Sequence, residues 1–112
     1  LHVVRNMHER KALMAERADA FLAIPGGIGT FEELFEVWTW RHLGYHDKPI
    51  GILNANGYYD RLLAFLDDTV QAGFVSPWQM DLVRISSDAP VLMSDLRAAI
   101  QPTAQAFDAN AI

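Results

Sequence analysis

A chain of 112 residues is enough for one small domain with a single core. Its net charge of −5 and pI near 5.1 argue against a general nucleic-acid-binding surface. The absence of cysteine excludes disulfides and thiolate chemistry, and no apolar run is long enough to cross a bilayer, so the cytoplasm is the default expectation.

The chain opens on Leu1-His2-Val3-Val4, which reads as a strand already under way with no initiator Met. These residues are therefore expected to be the back part of a longer protein. Asn6 can cap a helix over Met7 to about Arg17, with Arg10, Leu13, Met14 and Arg17 on one side. Ala20 to Ile24 is a continuous apolar run, as in a strand buried on both faces of a parallel sheet. A helix from Thr30 to about Leu43 follows. Its expected core stripe is Phe31, Leu34, Phe35 and Trp38, and Gly44 ends it.

Pro49 to Leu53 is the next buried strand, and Asn54-Ala55-Asn56-Gly57 is a turn. A helix over Tyr58 to about Ala72 puts Leu62, Phe65, Leu66 and Thr69 on one side, with Gly73 at C′. Ser76-Pro77-Trp78-Gln79 starts a short helix, with Ser at N-cap, Pro at N1 and Gln at N3. Leu82 to Ser86 is a further strand. Asp88 caps a last helix to about Ile100, with Leu92, Leu96, Ala99 and Ile100 inward; the polar, Ala-rich stretch from Gln101 is expected to fray. Strands alternate with helices and no hairpin signal appears, so the expected fold is one α/β domain, a Rossmann-like parallel sheet with flanking helices.

The chemistry concentrates at Ile24-Pro25-Gly26-Gly27-Ile28-Gly29-Thr30-Phe31-Glu32-Glu33. A glycine-rich turn between a buried strand and a helix start is where an α/β protein holds a phosphate: the backbone approaches closely, and the first helical N–H groups favour an anion. The spacing is neither that of a Walker A loop nor G-x-G-x-x-G. A tight strand-to-helix turn would use the same glycines; their position tips the reading to ligand binding. Glu33 also has two readings. Thr30-Phe31-Glu32-Glu33 fits a capping box in which Glu33 bonds the Thr30 N–H. Alternatively Glu33 stands beside the phosphate cradle, able to accept a proton.

Arg10 and Lys11 lie in the first turns of their helix, where the dipole disfavours cations; that cost points to an anion. The histidines form no metal motif: Ala12 stands where H-E-x-x-H needs its second His, and Gly44 separates His42 from His46. No metal site is expected. Only Lys11 and Lys48 could form a Schiff base with pyridoxal phosphate. Trp40 and Tyr45 are candidates to cover a base or a partner subunit, and the other aromatic residues are assigned mostly to core or interface.

Pro25-Gly26-Gly27-Ile28-Gly29-Thr30-Phe31-Glu32-Glu33 resembles the P-G-G-x-G-T-x-x-E signature of the LOG ("Lonely Guy") family, and Met7-His8-Glu9-Arg10-Lys11 resembles its M-H-x-R-K motif at the same separation. The likeness continues through Thr39-Trp40, Leu43-Gly44 and Asn56-Gly57-Tyr58-Tyr59-Asp60. The resemblance implies a Rossmann-like fold, a homodimer, no cofactor, and hydrolysis of the N-glycosidic bond of a nucleoside 5′-monophosphate. The substrate would be AMP or a cytokinin riboside 5′-monophosphate, and the products free base and ribose 5-phosphate. It implies catalytic roles for Arg10 and Glu33, a phosphate-loop role for Gly26, Gly27, Ile28, Gly29 and Thr30, and substrate contacts for Lys11 and Thr39. Family members carry another half before M-H-x-R-K that this chain lacks. The alternatives are a carrier of the same fold, binding a nucleotide or molybdenum cofactor without turnover, and a purely structural subunit.

Overall fold

The computed structural model describes residues 18–100. The expected strand at Leu1–Val4, the helix from Met7 and the tail from Gln101 lie outside them. Among the described residues a parallel sheet runs in the order β1 (Phe21–Ala23), β2 (Ile50–Leu53), β3 (Val83–Ser86). Phe21 pairs with Ile50, and Ile50 in turn with Val83. The helices are α1 (Ile28–His42), α2 (Asp60–Gln71), α3 (Pro77–Met80) and α4 (Ala89–Ala99). The expected α/β, Rossmann-like arrangement is thus present.

Side chains alternate across β2, and the alternation separates two layers. Ile50 and Ile52 are fully buried in a cluster with Leu34, Val37 and Trp38 of α1, Tyr59, and Leu66 of α2. Gly51 points to the other face, where a Cβ would lie 3.0 Å from Leu96 and 3.2 Å from Leu92 of α4. A methyl here would press on the ends of both leucines, which would have to give by a few tenths of an ångström in a packed layer. Gly51→Ala is therefore expected to destabilise the fold by about 1–3 kcal/mol, the usual cost of overpacking, read as a lower urea midpoint at unchanged slope.

Several helix ends follow the local sequence signals. Gln79 Oε1 accepts the Ser76 N–H at 2.8 Å at the start of α3, and Asp88 Oδ1 accepts the Val91 N–H at 3.0 Å at the start of α4. Gly44 and Gly73 follow α1 and α2 with φ of 88° and 86°.

Burial departs from the expectation in three places. In β1 only Ala23 is buried, while Leu22 is 39% exposed; β1 is an edge strand of the sheet among the described residues. In α1, Leu34 and Trp38 are core, Phe31 packs partly against it and Phe35 is exposed; Val37, absent from the expected stripe, is buried. In α2 Leu66 is buried but Phe65 faces out. Periodicity identified the right face of each helix without showing how far its neighbours extend over it.

His46 joins α1 to the segment entering β2. The Lys48 N–H donates to its Nδ1 at 3.1 Å, so Nε2 carries the proton that is donated to the Val37 carbonyl at 2.8 Å. The neutral ring satisfies both partners, whereas a protonated Nδ1 would face a donor. Burial lowers the His46 pKa from its ordinary 6.5, only partly offset by the Val37 carbonyl. Below pH 6.5 the unfolded chain binds a proton that the folded one resists, so this group makes stability decrease as the pH is lowered across that window. His46→Gln is expected to flatten the fall in urea midpoint between pH 7.5 and the lowered folded-state value, compared with the parent.

Candidate active site

In a parallel sheet, ligands bind outside the carboxyl ends of the strands. At that end of β1 the chain runs through Ile24, Pro25, Gly26 and Gly27 into α1. The helix begins earlier than the sequence suggests. Gly27 is its N-cap, and the Gly27 carbonyl takes the first helical bond, from the Phe31 N–H at 3.0 Å. Thr30 is therefore the third helical residue and not the cap, and the expected capping box between Thr30 and Glu33 does not form.

The reason lies at Gly26. A Cβ there would come 2.2 Å from Thr30 Oγ1 and 3.0 Å from Thr30 Cβ. Thr30 leans back against the bare Gly26 backbone, which holds the first turn of the helix over the loop. Gly27 and Gly29 are different: a Cβ at either meets nothing within 4 Å. Open space therefore lies beside the turn where their side chains would have stood.

The amides of Ile28, Gly29 and Thr30 have no acceptor one turn back within α1, as for any helix start. Among the described residues no hydrogen bond to them is made. They add their donors to the positive end of a 15-residue helix. One turn along on the same side, three residues from Thr30, is Glu33. Thr30 and Glu33 line a cavity of about 220 Å³ with Leu22, Ile24, Leu34 and Val37. Glu33 is exposed and lines this mostly apolar cavity, without the backbone role that the sequence pattern allowed it.

The turn is braced from across the sheet. After β2 a short helical turn, Ala55–Gly57, delivers Tyr58 and Tyr59. The Tyr58 hydroxyl donates to the Gly26 carbonyl at 2.5 Å, and the Tyr59 hydroxyl donates to the Ile24 carbonyl at 2.6 Å. Asn54 supports them: its Oδ1 accepts the Tyr59 N–H at 2.7 Å, its Nδ2 donates to Asp60 at 2.7 Å, and its own N–H donates to the Ser86 carbonyl at 2.8 Å. Burial, then the neighbouring Tyr58, push the Tyr59 phenol above its ordinary value of 10.0, so it remains a donor near neutral pH. Sequence reasoning placed these tyrosines in core or interface. A Tyr-Tyr pair just after the second strand of a parallel sheet was the available signal, because that position falls beside the preceding strand's loop.

Not every expected residue meets here. Arg10 and Lys11 lie outside the described residues. Thr39 donates to the Phe35 carbonyl at 2.6 Å and stands nine residues past Thr30, about 14 Å along the helix at 1.5 Å per residue. It lines a different groove, with Phe35, Trp38 and His42. Trp40 and Tyr45 pack edge to face, with ring centroids 6.4 Å apart. Among the described residues no three potential metal-ligating side chains cluster, and His42 is engaged with Gln79 at 3.2 Å. No described helix is long and apolar enough to cross a membrane.

Comparison with known proteins adds the following. Residues 1–96 match the family described as possible lysine decarboxylase. Cytokinin riboside 5′-monophosphate phosphoribohydrolase LOG3 of Arabidopsis thaliana is 50% identical over 96 residues, which cover 86% of this chain and 45% of that protein. The cytokinin riboside 5′-monophosphate phosphoribohydrolase of Rhodococcoides fascians is 49% identical over 98 residues, 88% of this chain and 50% of the relative. The probable enzyme LOGL9 of Oryza sativa subsp. japonica is 55% identical over 93 residues, 83% of this chain and 41% of the relative. The chain thus spans about half the length, or less, of the curated relatives it matches.

Proposed function

Because the chain belongs to the family described as possible lysine decarboxylase, the family of the LOG phosphoribohydrolases, we propose that the protein hydrolyses the N-glycosidic bond of a nucleoside 5′-monophosphate. The substrate is AMP or a cytokinin riboside 5′-monophosphate, the nucleotide that the relatives' names carry. Water adds across the bond: its hydroxyl goes to C1′ and its proton to the departing base, giving ribose 5-phosphate and free base.

One observation carries the reading. A helix start with free amides leads, one turn along on the same side, to an exposed carboxylate, and Thr30 of that first turn lines one cavity with Glu33. That separation, about 5 Å, is comparable with the span from a 5′-phosphate to the anomeric carbon of its ribose. The phosphate docks on the amides of Gly27 to Thr30, with Gly26 shaping the turn. Glu33 then faces the sugar. As the base leaves, C1′ gains positive charge, which a carboxylate stabilises while it orients or deprotonates the attacking water. Arg10 brings a permanently charged fork to the phosphate or to Glu33, and Lys11 adds a second cation. Thr39 is too far along α1 to touch a phosphate at the turn of its own copy, so its contact in this scheme comes from a second copy in a homodimer.

The family's decarboxylase description finds less support. Schiff-base chemistry needs a free lysine amine at the site; Lys48 precedes β2, at the opposite end of the sheet from the glycine turn, and Lys11 serves in this scheme as a charged phosphate contact. A carrier without turnover would need the glycines but not Glu33. The test is to incubate the full-length protein with AMP, and separately with a cytokinin riboside 5′-monophosphate, and to look for free base by chromatography. Base released from either substrate is the expected result. A nucleotide that binds and is recovered intact would replace the hydrolase with the carrier.

A further inference from the structure

The Tyr58 hydroxyl reaches 32 residues back along the chain to the Gly26 carbonyl. That carbonyl shares a peptide group with the Gly27 N–H. The peptide is planar and trans, so its C=O and N–H point in opposite directions. Holding the oxygen toward Tyr58 therefore aims the Gly27 N–H away from it. Glycine on both sides leaves this peptide little intrinsic preference of its own, and no side chain caps the helix start. Among the described residues the Tyr58 phenol is the group that hydrogen-bonds the Gly26 carbonyl.

We infer that Tyr58 is a positioning residue for phosphate: by holding the Gly26 carbonyl it keeps the Gly27 amide directed into the anion site. The inference rests on the phosphate-binding part of the proposed function and on no step of the hydrolysis. Tyr59 provides an internal contrast. It makes the same kind of bond, but to the Ile24 carbonyl, whose peptide partner is the nitrogen of Pro25 and carries no hydrogen; its hydroxyl also meets the Gly26 backbone on the N–H side, a different peptide from the one that bears the Gly27 N–H. Tyr59 is also buried (2% exposed), whereas Tyr58 is 53% exposed. The two hydroxyls should therefore separate orientation of an amide from support of the fold.

The experiment compares Tyr58→Phe and Tyr59→Phe in the full-length protein, with inorganic phosphate as the probe, titrated by calorimetry, and with thermal melting alongside. Tyr58→Phe is expected to weaken phosphate binding roughly five- to tenfold with little change in Tm, the scale of one lost hydrogen bond to a correctly aimed group. Tyr59→Phe is expected to lower Tm and leave phosphate affinity within twofold of the parent. With a nucleoside 5′-monophosphate as substrate, Tyr58→Phe should raise KM more than it lowers kcat. Unchanged phosphate affinity in Tyr58→Phe overturns the inference, and so does equal weakening in both variants, which would mean general stiffness of the loop. A parent that binds phosphate but releases no base removes the hydrolase reading alone, because the effect of Tyr58 is still read from phosphate affinity.

Discussion

Replacing Glu33 with Gln is expected to slow base release by about 10²–10⁴-fold, the usual share of a positioned general base, while nucleotide binding stays measurable. Gln keeps the shape and the polar tip of the side chain but can neither take a proton nor stabilise a cationic sugar. The fold gives this substitution an unusually clean reading. Had Glu33 closed a capping box with Thr30, the exchange would also have disturbed the start of the helix. With Gly27 as N-cap, Glu33 is the sixth helical residue and stands exposed at the cavity. Tm should therefore stay close to that of the parent. Steady-state release of base by chromatography, with nucleotide affinity by calorimetry, checks both halves. Undiminished turnover in the variant would remove Glu33 from the chemistry.

The second large effect is expected at Gly26. Gly26→Ala places a methyl 2.2 Å from Thr30 Oγ1 and 3.0 Å from Thr30 Cβ. Turning the hydroxyl relieves the first contact but not the second, because Cβ is fixed to the helix backbone. The first turn of α1 must shift, and its amides with it. A 1 Å misplacement costs about 10²-fold in rate, so a shift of a few tenths of an ångström is expected to cost roughly two- to fivefold, and the overpacking about 1–3 kcal/mol. Both kcat/KM and the urea midpoint should fall. Gly27→Ala and Gly29→Ala serve as controls, since their methyl groups enter open space. These proteins should fold as well as the parent, so any phosphate affinity they lose reports a clash with ligand. A Gly26→Ala protein with parental kcat/KM would show that the position of the first turn does not matter to the reaction.

The contrast between what was legible and what was not follows the range of the interaction. Ser76 to Gln79 and Asp88 to Val91 are contacts three residues apart, and both form as the residue pattern indicates. The parallel strands and the glycine turn between strand and helix were equally readable, because each is a local run with clear boundaries. The start of α1 was misread because Thr-x-x-Glu is a valid capping pattern that a neighbour overrides. Thr30 packs on Gly26, and a glycine N-cap carries no side chain to announce itself. The tyrosine ties span 32 and 35 residues, and no local periodicity encodes them. Glu33 was visible as a candidate, but setting aside its capping-box reading needed the helix boundary. Arg10 and Lys11, outside the described residues, rest on the motif alone.

The reach of those ties has a bearing on how the protein comes into being. A ribosome releases a chain from its N-terminus, and domains fold as units once enough of them has emerged. A nascent chain that has exposed β1 and α1 but not yet Tyr58 holds every glycine of the turn and neither of its struts. Full affinity for phosphate would then arrive late, with the second strand and Tyr58 behind it. Until that moment the growing polypeptide would carry the glycines in full with their amides unaimed.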